Sequence, residues 1–123
     1  MSASTAAGGR THDPQVARLI SRAREQTGLT AAELGEVVGI GQRQVQNWAA
    51  GRGTPANGAR LRRLLDLQYV LDLVAEVYGD DAALTWLHAR NRTLGGERPL
   101  DMLAEGRTDE VIGLLDRLAD GNF

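Results

Sequence analysis

The 123-residue chain contains neither cysteine nor lysine. Without cysteine it can build no disulfide framework and no cysteine-based zinc site, and a cytoplasmic location poses no difficulty. Without lysine, all 14 basic residues are arginine, a choice that reflects composition bias as much as function. Long apolar runs are missing too. The longest candidate, Leu64 to Tyr78, is interrupted by Asp66, Gln68, Asp72 and Glu76, which excludes a membrane span. The opening MSASTAAGGRTH has no apolar signal core, and residues 1–12 read as a disordered tail. Catalytic groupings are equally scarce. His12 lies in the tail and His88 stands alone, while Asp80-Asp81 is more simply a helix cap than an acid pair. Gly95-Gly96 belongs to neither a P-loop nor a GxGxxG pattern. The chain does not read as an enzyme, and no cofactor or metal is expected.

The net charge of −2 conceals an asymmetry. Met1 to Val70 holds nine arginines against five acids, a balance of +4; Leu71 to Phe123 holds five against eleven, a balance of −6. A positive half suits nucleic acid, because phosphate neutralisation with counterion release supplies most non-specific affinity. An acidic half is repelled from DNA and must face a different partner.

The positive half contains the most informative stretch, LTAAELGEVVGIGQRQVQNWAAG, from Leu29 to Gly51. Thr30 at N-cap with Glu33 three residues on forms a capping box, and Leu29 and Leu34 occupy hydrophobic-staple positions. A first helix runs to Val38 and breaks at Gly39, which can adopt the left-handed turn conformation. A second helix runs from about Gln42 to Ala50 and stops at Gly51. Leu34, Val38, Ile40, Val45 and Trp48 fall where the helices bury side chains against each other, and small Gly35 permits a close crossing. Gln42, Arg43, Gln44, Gln46 and Asn47 remain outside, a face with no acid, flanked by Arg52 and Arg60. Such side chains hydrogen-bond base edges and phosphates. A plain helical hairpin explains the apolar positions but not this polar face. The segment resembles the Xre (lambda-repressor-like) helix-turn-helix family. The resemblance implies a compact helical domain whose second motif helix enters the major groove of double-stranded DNA, as a dimer on a palindromic operator. Gly41 stands where the family often has a serine cap.

Around this motif the sequence predicts further helices. Asp13-Pro14 opens one that carries Leu19, Ile20 and Ala23 inward and ends at Gly28. Thr54-Pro55 opens a long helix to Tyr78, with Asn57 and Gly58 weakening its first turn. Arg60, Arg62 and Arg63 near its start either contact phosphates or form a solvated cluster. From Leu64 to Tyr78 its polar residues shrink to a narrow stripe, so it must be covered from several sides, by the N-terminal bundle and the C-terminal segment, with a second subunit as a further candidate. Asp80 caps a short helix with Leu84, Trp86 and Leu87; Pro99 opens another, ended by Gly106. Thr108 caps the last helix, with Asp109 and Glu110 in its first turn and Arg117 in its last.

The series Trp86, Asn91, Leu94, Gly95, Gly96, Pro99, Leu100, Leu103, Gly106, Val111, Leu115 resembles the C-terminal toxin-binding domain of the MbcA/ParS/Xre antitoxins. Family members usually carry proline soon after the turn asparagine, where this chain has Asn91-Arg92-Thr93. The two resemblances together span about Leu19 to Phe123. They imply an all-α chain in three parts: the tail 1–12, a helix-turn-helix domain 13–66 and a toxin-binding domain 67–123, joined by a shared long helix. They also imply an antitoxin that inhibits a RES-domain toxin, which consumes NAD⁺ or uses it for ADP-ribosylation, and that represses its own operon. The toxin-binding residues expected are Asn91, Arg92, Leu94, Gly95, Gly96, Pro99, Gly121, Asn122 and Phe123. A free-standing dimeric Xre-type repressor, whose C-terminal half only dimerises, is the alternative.

Overall fold

A computed structural model describes residues 14–53 and 58–121. The tail 1–12, the Asp13 cap, the Thr54-Pro55 helix start with Asn57, and Asn122 and Phe123 all lie outside the described residues. Seven α-helices follow one another there: α1 Pro14–Thr27, α2 Ala31–Val38, α3 Gln42–Ala49, α4 Gly58–Tyr78, α5 Ala83–His88, α6 Pro99–Ala104 and α7 Thr108–Ala119. A single 3-10 turn, Arg92–Leu94, sits between α5 and α6. No strand forms among the described residues, so the class is all-α, as expected.

Local chemistry sets the boundaries. Buried Thr27 closes α1: its hydroxyl donates to Ala23 O at 2.7 Å and accepts from Leu29 N at 3.1 Å. The capping box opens α2 as predicted, with Glu33 N donating to Thr30 Oγ1 at 3.1 Å and Thr30 N to Glu33 Oε1 at 2.9 Å. Pro99 takes the first turn of α6, where a missing N–H costs nothing. Two expected caps are corrected. Thr108 is already helical and Arg107 holds the N-cap position of α7, while Ala82, not Asp80, precedes α5; neither cap residue accepts a side-chain bond.

The long helix α4 is the spine. Its 21 residues span about 31 Å at 1.5 Å per residue. It packs on α1, α2, α5 and α7. Leu64, Leu67, Val70, Leu71 and Val74 are essentially fully buried beneath these neighbours. They belong to one continuous core running from Val16 on α1 to Leu115 on α7. The broad apolar face expected to meet a second subunit is therefore mostly covered by the chain itself. The large apolar side chains that stay exposed on α4 are Leu65 and Tyr69, each 46% accessible, and Tyr78 at its end. No helix among the described residues is long and apolar enough to cross a membrane.

Candidate functional site

The motif helices build the first surface from the turn outward. Gly39 ends α2 at φ 86, and the amides of Gly39 and Ile40 both donate to Gly35 O, at 2.7 and 2.9 Å. Gly35 is small for a more local reason than helix crossing. A Cβ there would stand 2.5 Å from Ile40 O, so a side chain would wedge the turn open. Gly41 takes the N-cap of α3 in an extended conformation and supplies no side-chain cap. Val45 and Trp48 bury the inner face of α3 against α1 and α2. That anchoring leaves Gln42, Arg43 and Gln46 exposed on the outer face, with no hydrogen-bond partner among the described residues. Gln44 and Asn47 are half-buried at the edges. Asn47 is already engaged, since its Oδ1 accepts from Arg52 Nη2 at 3.3 Å and its carbonyl from Arg52 N at 2.7 Å. Gln44 and Arg60 border an open cleft of about 510 Å³ along the motif turn, with Glu36 as its one carboxylate.

The arginine cluster at the start of α4 divides. Arg60 stays at this cleft, whereas Arg62 reaches Asp66 at 3.4 Å on its own helix. Arg63 turns inward and donates from Nη2 to Leu103 O at 3.1 Å and Ala104 O at 3.3 Å. The phosphate reading of Arg63 therefore gives way to an internal role. Nothing near it in sequence announces this, because its acceptors lie 40 and 41 residues away.

The second surface is organised by Asn91. Its Oδ1 accepts from Thr93 N at 2.9 Å, and its carbonyl accepts from Leu94 N at 3.0 Å and Gly96 N at 2.9 Å. Asn91 N in turn donates to Glu97 O at 3.0 Å, which closes the loop into a hairpin. Gly95 and Gly96 are both left-handed, at φ 73 and 83, so two consecutive residues here need glycine. Arg92, Thr93 and Gly95 are exposed at the tip; Leu94 packs partly on the core, and Pro99 is buried. Gly121 is exposed at the end of the described residues.

Behind that hairpin sits Arg107, which sequence reasoning passed over. Its guanidinium donates to Glu110 from Nε and Nη2, both at 2.9 Å, and from Nη1 to Glu97 at 2.8 Å and Glu105 at 3.3 Å. Glu105 and Glu110, two before and three after it, were the available signal. The bonds to Glu110, then to Glu97 and Glu105, drive the Arg107 pKa further upward, and Arg107 holds the Glu110 carboxyl below its ordinary value. Arg98 similarly clasps Asp101 at 2.8 and 2.9 Å and lowers that carboxyl. His88 Nδ1 lies 2.8 Å from Leu84 O, and no group of three potential metal ligands occurs among the described residues.

A helix-turn-helix front is thus joined through a spine helix to a glycine-punctuated set of shorter helices, the architecture of a two-part helical regulator. Residues 20–67 match a helix-turn-helix family, and residues 73–121 match the "Antitoxin Xre/MbcA/ParS C-terminal toxin-binding domain". The chain belongs to the MbcA family of antitoxins. It is 37% identical over 108 residues to the mycobacterial cidal antitoxin MbcA of Mycobacterium tuberculosis, covering 88% of this chain and 95% of that one. A probable mycobacterial cidal antitoxin of the same organism is 34% identical over 98 residues, covering 78% and 81%. A chain of the crystal structure of the M. tuberculosis MbcT-MbcA toxin-antitoxin complex superposes with a TM-score of 0.70 at 37% identity, covering 87% of this chain and 96% of that one. The free-standing repressor is set aside by this membership.

Proposed function

We propose that this antitoxin works through two faces. The front, residues 13–66, binds double-stranded, palindromic operator DNA and represses the antitoxin's own operon. Gln42, Arg43 and Gln46 read base edges from α3, Gln44 and Asn47 support them from its margins, and Arg52 and Arg60 meet phosphates. The back, residues 67–123, binds a cytoplasmic RES-type toxin that consumes NAD⁺. Asn91, Arg92, Leu94, Gly95, Gly96 and Pro99 shape one contact. Gly121, Asn122 and Phe123 make a second contact that blocks the NAD⁺ site, with Phe123 as its aromatic anchor.

One observation carries the reading of the front: three polar side chains stand exposed and unpartnered on a helix whose opposite face is fixed by Val45 and Trp48. The back rests on the toxin-binding domain match and on the solved complex of the relative. Two half-sites require two copies. The exposed pair Leu65 and Tyr69, beside half-buried Leu19, supports homodimerisation through this remaining strip of α4. Deletion of residues 121–123, co-expressed with the toxin, tests the second contact. Growth arrest and loss of cellular NAD⁺ are expected, with operator gel shifts unchanged. Full protection would move inhibition to the Asn91–Leu103 segment.

A further inference from the structure

Arg63 lies between the two halves of the chain and touches an element of each. On one side its guanidinium rests on the helix-turn-helix turn: a Cβ built on Gly39 would stand 2.5 Å from Arg63 Nη1 and 3.4 Å from Cζ. On the other side the same group bonds the carbonyls of Leu103 and Ala104, at the C-terminal end of α6. Leu103 O also accepts from Gly106 N at 3.0 Å, so Arg63 adds to the closing turn of α6, and a cation beside the last carbonyls complements the helix dipole. The fork geometry of arginine allows one rigid group to serve both contacts, which a lysine point charge cannot reproduce. The surroundings reinforce the link. Helix α2 packs directly on α6, with Val37, Leu100 and Leu103 all buried, and Glu33 of the capping box lies across a crevice of about 120 Å³ from Arg98 and Asp101. The turn that aims α3 is thus braced against α6, the helix that Pro99 opens at the end of the Asn91–Pro99 segment.

We propose that Arg63 is a positioning residue that couples toxin occupancy to operator binding. The proposal rests on the two-face reading above. Toxin held at the Asn91–Pro99 segment restrains α6. Through Arg63, α6 restrains the Gly39–Gly41 turn in the conformation that presents α3. The coupling is reciprocal: toxin raises operator affinity and operator raises toxin affinity by the same factor.

Two measurements on the full-length chain test this, with Arg63→Met, which keeps the stem, and Arg63→Lys, which keeps the charge and its donors at one point but not the fork. The first is amide exchange at Gly39 and Ile40, whose N–H groups both bond Gly35 O. Adding the cognate toxin should slow it at least about fivefold in the parent chain, in line with typical coupling factors. The effect should vanish in Arg63→Met and return in part in Arg63→Lys. A merely structural arginine would alter exchange with and without toxin alike. The second is operator titration with and without toxin, where the parent's affinity ratio should exceed about five and fall to one in Arg63→Met. Exchange indifferent to toxin in the parent, or equally slowed in both variants, overturns the proposal. If Arg63→Met fails to fold, the intermediate response of Arg63→Lys decides. A parent chain that shows the exchange effect but binds no operator would refute the DNA reading while leaving the Arg63 brace standing. A parent that forms no complex with the toxin would remove the two-face reading and this proposal with it.

Discussion

The outer face of α3 and the back of this chain treat arginine in opposite ways. On the front, Arg43 projects from α3 with no partner among the described residues, beside equally unpartnered Gln42 and Gln46. On the back, Arg98 and Arg107 are tied into Asp101, Glu97, Glu105 and Glu110, and Arg90 donates to Gly96 O at 3.1 Å. A surface for phosphates and base edges must leave its donors open. A domain of short helices, none of α5, α6 or the 3-10 turn longer than six residues, lacks the apolar area to fix its loops and uses ion pairs as clasps. The pairing leaves the −6 balance of this half unchanged, but it draws four of the eleven carboxylates onto Arg98 and Arg107.

The two faces nevertheless share one core, and the largest predicted effect follows from that. Leu71 on α4 is fully buried among residues of both halves. Leu71→Ala should cost ~2–5 kcal/mol and weaken operator binding and toxin neutralisation together. Its thermal melt should remain a single transition. Two separate transitions would break the shared-spine account.

Next in size is the helix-turn-helix entrance. Thr30→Ala removes the hydroxyl that accepts from Glu33 N and should cost ~1 kcal/mol in a denaturant titration. No loss of stability would mean that water replaces the capping box without penalty.

The smallest effect sharpens the contrast in how carboxylates are used. Arg107 holds Glu110 and Arg98 holds Asp101 below their ordinary values. A depressed carboxyl contributes stability that is fully present above its unfolded pKa, ~4, and is lost as pH falls through the lower folded value. Stability should therefore decline modestly below pH ~4, and Arg107→Met should flatten the part due to Glu110. The groups are exposed, so screening keeps the effect small. An unchanged acid profile in Arg107→Met would show that the clasp is electrostatically idle.

Much of this was legible in the chain. The capping box, the Gly39 turn, the Asn91 turn and the Gly95-Gly96 break are local signals, each set by residues within a few positions of one another. Arg63 was not legible, because its acceptors lie on a helix some forty residues on. The caps at Thr108 and Asp80 misled because a capping residue type is common in any turn, and only the backbone path decides which residue caps. The apolar circumference of α4 correctly demanded cover on several sides. Sequence alone could not assign that cover between the chain and a second copy, since both bury the same residues.

The central claim is that operator and toxin are served by separable faces of one rigid chain. It is tested most directly by the double variant Arg43→Ala, Gln46→Ala, assayed in parallel by operator gel shift and by toxin co-expression. Operator affinity should fall, by ~1–3 kcal/mol for each lost base contact, while the cell remains fully protected from the toxin. Unchanged operator affinity, or loss of protection along with it, would contradict the account.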